Sequence, residues 1–198
     1  MSEEISLTIG STWEKMEDIR KFIAQARRMA RLQFEKSHPG HFLLGQVPDD
    51  WDDDMGFATG VRTVSEIDEI LQGNEDELEP GYLLMKAAKT DRAAWLRWIS
   101  VGRARNNDII LRHPSISKLH AQIHKETEGN EDKPAFKVID AGSANGTFVN
   151  KKRLVKGEPC PLYPGDSVTF GDIECMFLNT GSLYENLRNL PREFEVAS

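Results

Sequence analysis

The sequence predicts a mainly β domain, an antiparallel sandwich or barrel, preceded by an α-helical extension and closed by a short helix. Three observations carry this. From Tyr82 onward, short β-prone runs recur at roughly 8–12-residue spacing, with turn signals and no helical period between them. Pro164-Gly165-Asp166 and Gly171-Asp172 stand where hairpin turns are needed. Apolar residues make up 39% of the 198 residues, enough for one medium domain with an appendage or for two small ones.

The elements follow in chain order. Ser11-Thr12-Trp13-Glu14 is a capping box: the Ser11 hydroxyl caps a helix and Glu14, three residues on, reaches back. Met16, Ile19, Phe22, Ile23, Ala26, Met29 and Ala30 then keep helical spacing. Arg27, Arg28, Arg31 and Lys36 complement the dipole near the C-terminal end, and His38-Pro39-Gly40 stops the helix. Residues 1–40 thus read as one amphipathic helix of about six turns. Its apolar stripe must pack on this chain or on a partner. Residues 41–80 read as an acidic linker with one short helix, opened by Thr63-Val64-Ser65-Glu66 and ended at Gly73. Residues 81–180 hold the β region, with strands expected at 82–85, 95–101, 108–111, 120–124, 136–140, 147–149, near 161–162, at 167–170 and at 174–178. Residues 181–198 supply a short helix over 182–190 and a tail.

Charge and composition exclude several classes. The net charge is −7, and it is uneven: residues 38–91 carry 13 acidic and 3 basic side chains, residues 92–198 carry 13 and 15. The overall sign disfavours nucleic acid as a partner. No run approaches the ~18 apolar residues of a membrane helix, and Met1-Ser2-Glu3-Glu4-Ile5 lacks the pattern of a secretory signal. Two cysteines, Cys160 and Cys175, with no CxxC, argue against a disulfide scaffold and a structural zinc site. A soluble cytoplasmic protein without cofactor or membrane contact is expected. The run Asp50-Trp51-Asp52-Asp53-Asp54-Met55-Gly56 begins like a calcium loop, but Met55 replaces the required glycine and Val61 the closing glutamate. A solvated acidic linker is the better account, and no metal site is assigned. No P-loop, nucleophile elbow or kinase signature occurs, so no catalytic residues are assigned.

Four short words in the β region carry chemistry: Gly102-Arg103, Ser117-Lys118-Leu119-His120, Asp140-Ala141-Gly142-Ser143 and Asn145-Gly146-Thr147. A phosphate dianion needs a guanidinium that stays charged, with hydroxyl and amide donors converging on its oxygens. Arg103 at a strand end and Ser117 on a loop are suitable donors, and Lys118 adds a second cation. In this order and spacing the words resemble a forkhead-associated (FHA) domain over roughly residues 80–179. The resemblance implies an antiparallel β-sandwich of about 10–11 short strands. It also implies a reader of phosphothreonine, in which Arg103 and Ser117 bind the phosphate, Lys118 assists, and Asn145 holds the peptide backbone beside it. Gly102, His120 and Gly146 then support the site, the glycine by close packing and the imidazole by tying the loops together. Two positions depart from the family pattern: Lys118 stands where arginine is common, and Ala144 lacks the hydroxyl often found before Asn-Gly. Losing one hydrogen bond to a charged group costs roughly 1.5–3 kcal/mol, which weakens binding without abolishing it.

The expected function is a phosphothreonine-peptide-binding adaptor, without enzymatic activity, in signalling linked to Ser/Thr kinases. The N-terminal helix is expected to offer a second partner contact or self-association. One alternative is a phospho-independent scaffold or oligomerisation protein. A lesser one is a metal-dependent hydrolase in the N-terminal segment, built from His38, His41 and the aspartates, with the sandwich as a targeting module.

Overall fold

A computed structural model describes residues 19–46, 82–91, 95–126 and 135–190. The capping box at Ser11, the acidic runs, the short helix expected after Thr63 and the C-terminal tail lie outside the described residues. Three helices and eleven strands are described: α1 (Ile19–Arg28), α2 (Arg31–Ser37), β1 (His41–Gln46), β2 (Tyr82–Lys86), β3 (Ile99–Gly102), β4 (Ile109–Ile110), β5 (Ala121–Lys125), β6 (Phe136–Asp140), β7 (Thr147–Val149), β8 (Lys152–Arg153), β9 (Pro159–Leu162), β10 (Ser167–Phe170), β11 (Ile173–Asn179) and α3 (Thr180–Asn189). The strands form a sandwich of a six-stranded sheet, β2-β1-β11-β10-β7-β8, and a five-stranded sheet, β4-β3-β5-β6-β9. Pairing is antiparallel except between β3 and β4. The predicted fold class is the observed one.

Alternation decides which side chains enter the core. On β5 and β6, Ala121, Ile123, Phe136 and Val138 point inward. They meet Leu43, Val149, Val168, Phe170, Cys175 and Phe177 from the other sheet. The β2-β1-β11 end of the six-stranded sheet is covered on its outer face too. There Phe42, Leu44, Leu84 and Leu178 pack against Ile19, Phe22, Ile23, Ala26 and Phe34 of α1 and α2 and Leu183, Tyr184 and Leu187 of α3. The apolar stripe of the described N-terminal helices is therefore spent within the chain.

Three expectations are corrected. Residues 41–46 are not linker: β1 pairs with both β2 and β11, and Leu43 and Phe42 are buried on opposite faces. The sandwich thus begins at His41, and residues 47–81 run between two neighbouring strands whose ends, Gln46 and Tyr82, are paired. The N-terminal helix is not continuous. Ala30 is extended (φ −67°, ψ 148°), and Tyr184 Oη donates to the Met29 carbonyl at 3.1 Å, taking up an acceptor freed by the break. Strand β3 starts at Ile99 rather than Trp95, because Trp95 is 70% exposed and has no sheet to pack on.

The closing helix begins two residues earlier than its pattern suggested. Asn179 caps it by accepting from the Ser182 amide at 2.8 Å. At its other end Arg27 donates to the Leu190 carbonyl at 3.1 Å, so part of the basic cluster on α1 serves to cap α3.

Candidate functional site

The loops after β3, β4 and β6 meet at one end of the sandwich, and their backbones are bonded to each other. The Arg103 amide donates to the Ser117 carbonyl at 2.9 Å, and Ala104 to that of Lys118 at 3.2 Å. Asn107 Nδ2 bridges the Ala104 and Lys118 carbonyls at 2.8 and 2.7 Å. Gly102 permits this approach: a Cβ there would run into the Lys118 carbonyl and lie 2.9 Å from Asn107 Nδ2. Glycine at 102 is thus a packing requirement.

His120 fixes the second junction. It is fully buried, its Nδ1 accepts from the Ser117 amide at 3.1 Å, and its Nε2 donates to the Gly146 carbonyl at 3.0 Å. Burial lowers its pKa, outweighing the hydrogen bond to Gly146 and the charge of Asp140. The ring is therefore neutral at pH 7 and acts as a bridge between loops. Gly146 is left-handed (φ +94°), the conformation an Asn-Gly turn needs.

A third device shapes the loop before Asn145. The Asp140 carboxylate accepts from the Gly142 and Ser143 amides and from the Ser143 and Thr147 hydroxyls, and Ser143 Oγ in turn accepts from the Gly146 amide at 2.9 Å. Burial raises the Asp140 pKa, but these four bonds outweigh it and hold the carboxyl below the usual range. Asp108 behaves alike: burial is outweighed by Lys89 at 2.7 Å and by donors from Ser100 and Thr90. Both carboxylates are satisfied internally, so neither competes for the cations at the rim.

The four residues read as ligand contacts sit on these tied loops. Arg103 is exposed, and its Nε donates to the Ile116 carbonyl at 3.0 Å, which leaves both terminal nitrogens without a partner among the described residues. Ser117 Oγ accepts from the Ala144 amide at 3.1 Å and keeps its own proton available for donation. Asn145 is exposed and anchored by Nδ2 to the Ser115 carbonyl at 2.8 Å, leaving Oδ1 and one N–H available. Lys118 presents an exposed ammonium beside Ser117. The Arg103 guanidinium and the Ser117 hydroxyl thus stand on loops bonded to each other, with exposed Lys118 next to Ser117 in the chain and Asn145 next to Ala144. This arrangement can hold a tetrahedral anion and one stretch of peptide backbone.

Asn107 and Ser115 were not singled out from the sequence. Ser115 Oγ accepts from the Asp172 amide at 3.1 Å and so ties the β10–β11 turn to the site. Nothing in their spacing announces such roles. For the hydrolase alternative, His38 bonds Gln25 at 2.6 Å beside Phe22 and Phe34, whereas His41 stacks on Phe177 and lies tilted against Phe136. The two rings belong to different cores. Among the described residues no three metal-ligating side chains gather.

A β-sandwich whose loops present exposed cationic and polar donors at one end defines a class of module, and comparison specifies which. Residues 99–171 match the FHA domain family, so the chain carries an FHA domain there. Human kanadaptin is 34% identical over 85 residues, covering 40% of this chain and 12% of that protein. The DNA damage response protein kinase DUN1 of Saccharomyces cerevisiae is 42% identical over 81 residues, covering 40% of this chain and 15% of that one. The chain therefore spans well under half the length of these relatives. Among solved structures, the yeast Dun1 FHA domain, in complex with a doubly phosphorylated peptide, aligns with 73% of this chain and 77% of its own, at 21% identity and a TM-score of 0.42.

Proposed function

We propose that the chain is a non-catalytic adaptor that binds a phosphothreonine-containing segment of a partner protein modified by a Ser/Thr kinase. The observation that carries this reading is the Arg103–Ser117 pair. One backbone bond joins the two residues, a second fixes the guanidinium by its Nε, and a third orients the Ser117 oxygen from Ala144. Preorganised donors of this kind cost little ordering when the anion arrives. Lys118 and Asn145 extend the contact to the second phosphate charge and to the peptide backbone. Two free thiols, one of them Cys175 buried and pushed up to about 12, fit a reducing cytoplasmic setting. Among the described residues no helix is long and apolar enough to cross a membrane.

The test is a degenerate phosphothreonine peptide library presented to the wild-type chain and to Arg103→Ala. Selective enrichment that the variant loses supports the reader. Partner binding that survives in Arg103→Ala favours the scaffold alternative, in which Ala144 marks a phosphate site no longer used.

A further inference from the structure

Beyond the phosphate contacts, one cation is placed against the site by the fold. Strands β7 and β8 are joined by Asn150 and Lys151, both left-handed (φ 49° and 66°), the signature of a two-residue type I′ hairpin. Asn150 locks this turn, with Nδ2 donating to Asp166 Oδ1 at 2.8 Å and Oδ1 accepting from the Ser167 amide at 3.0 Å. The turn sets the register in which Arg153 faces Phe148. The guanidinium lies over the Phe148 ring at 5.6 Å and against the α-carbon of Gly146, where a Cβ would come within 2.8 Å of Nε and 2.9 Å of Nη2. Glycine at 146 therefore makes room for Arg153 as well as for the turn.

The contacts run on from one residue to the next: the Arg103 amide donates to the Ser117 carbonyl, Ser117 Oγ accepts from the Ala144 amide, Asn145 and Gly146 follow in sequence, and the Arg153 guanidinium lies against Gly146. Arg153 has no acidic partner among the described residues and is exposed. Lys151, Lys152 and Lys156 of the same hairpin region are exposed too. An oriented, unpaired guanidinium at the end of an anion-binding track is suited to a second negative charge.

We infer that Arg153 is a specificity-determining contact, and that the ligand is an acidic phosphothreonine peptide. Its aspartate or glutamate lies on the side of the phosphothreonine that runs over Asn145 and Gly146. This rests on the phosphothreonine reading and adds the chemistry of the flanking residue.

The experiment measures affinity for a phosphothreonine peptide of otherwise neutral sequence. Aspartate is moved through each position on both sides, with unphosphorylated counterparts alongside. The wild-type chain is expected to favour aspartate at one flanking position by about threefold to tenfold. That preference should shrink as salt is raised. Arg153→Gln should bind acidic and neutral peptides alike, and Arg153→Glu should prefer lysine at that position, with melting temperatures confirming that each variant folds. A flat aspartate scan in the wild type, or a preference that survives in Arg153→Gln, overturns the inference while phosphate dependence stands. Equal binding of phosphorylated and unphosphorylated peptides overturns the phosphothreonine reading, and the inference with it.

Discussion

The Nε of Arg103 donates to the carbonyl of Ile116 at 3.0 Å, so the guanidinium is held by its one inner nitrogen. Its two terminal nitrogens, in a planar fork, remain for a ligand. A lysine cannot divide its donors in this way, because its ammonium is a point charge at the end of a flexible stem. Arg103→Ala should lower phosphopeptide affinity by about 1.5–3 kcal/mol, or tenfold to more than a hundredfold. Arg103→Lys should recover only part of this. Titration calorimetry with one selected peptide measures both, and full rescue by lysine would contradict the fork.

Gly102 stands at the closest approach of two loops, where a methyl group meets the Lys118 carbonyl and the Asn107 amide. Gly102→Ala must push the loops apart, at about 1–3 kcal/mol of stability. Because Arg103 and Lys118 move with these loops, phosphopeptide affinity should fall further than for a core variant of equal stability such as Ile123→Val. Urea unfolding paired with calorimetry separates the two effects.

Ala144 donates its amide to Ser117 Oγ and is exposed. A hydroxyl added at this point stands on a residue that is hydrogen-bonded to Ser117 and precedes Asn145 in the chain. Ala144→Thr should raise affinity for phosphothreonine peptides by about tenfold, the worth of one hydrogen bond to a charged group. It should leave affinity for the unphosphorylated peptide unchanged. An equal gain for both peptides would show that the new group does not meet the phosphate.

His41, His120 and His124 all have lowered pKa values, in each case chiefly because of burial. Their unfolded counterparts take up protons near pH ~6.5, and the folded rings only at lower pH. Between these values the unfolded state binds more protons, so stability is full above about pH 6.5 and declines below it. Asp108 and Asp140 act in a lower window: their folded pKa values are depressed, and the stability they supply is lost only as pH falls below about 4. Urea midpoints should be level between about pH 7 and 8 and distinctly lower near pH 5.5. A midpoint that rises on acidification would contradict the burial of these rings.

Much of the site was legible because its residues are contiguous words on loops. Gly102 ends β3, and Arg103, Ser117, Lys118, His120, Asn145 and Gly146 sit on three loops that the fold bonds together. Strand β1 was not legible. His41–Gln46 reads as a continuous apolar run because helices cover one face and the second sheet the other, which erases the alternation a half-buried strand shows. Strand β8, Lys152–Arg153, is two exposed cations without any apolar signal, and the place of Arg153 depends on a hairpin register that only the fold supplies. The break at Ala30 was hidden for a similar reason: helical spacing continues across it, and the partner that accommodates it, Tyr184, lies far along the chain.

The position of β1 alters how the acidic segment can be removed. Deleting residues 1–80 would take away Phe34, Phe42 and Leu43, each buried, and losses of about 2–5 kcal/mol apiece are expected for such side chains. Replacing residues 47–81 by a short hairpin turn keeps the Gln46–Tyr82 register, so the sandwich should stay folded with a cooperative melt. An unfolded product would contradict the pairing of β1 with β2. This replacement is also the sound way to ask how twelve acidic residues and one basic residue, inserted between paired strands, affect ligand affinity.

The most direct measurement is calorimetric titration of the full chain with one library-selected peptide in three forms: phosphothreonine, phosphoserine and unmodified threonine. Arg103→Ala is run in parallel. The account predicts saturable binding of the phosphothreonine form, weaker binding of the phosphoserine form, none of the unmodified form, and loss of the first in the variant. Binding that ignores the phosphate, or that Arg103→Ala retains at full strength, would contradict it.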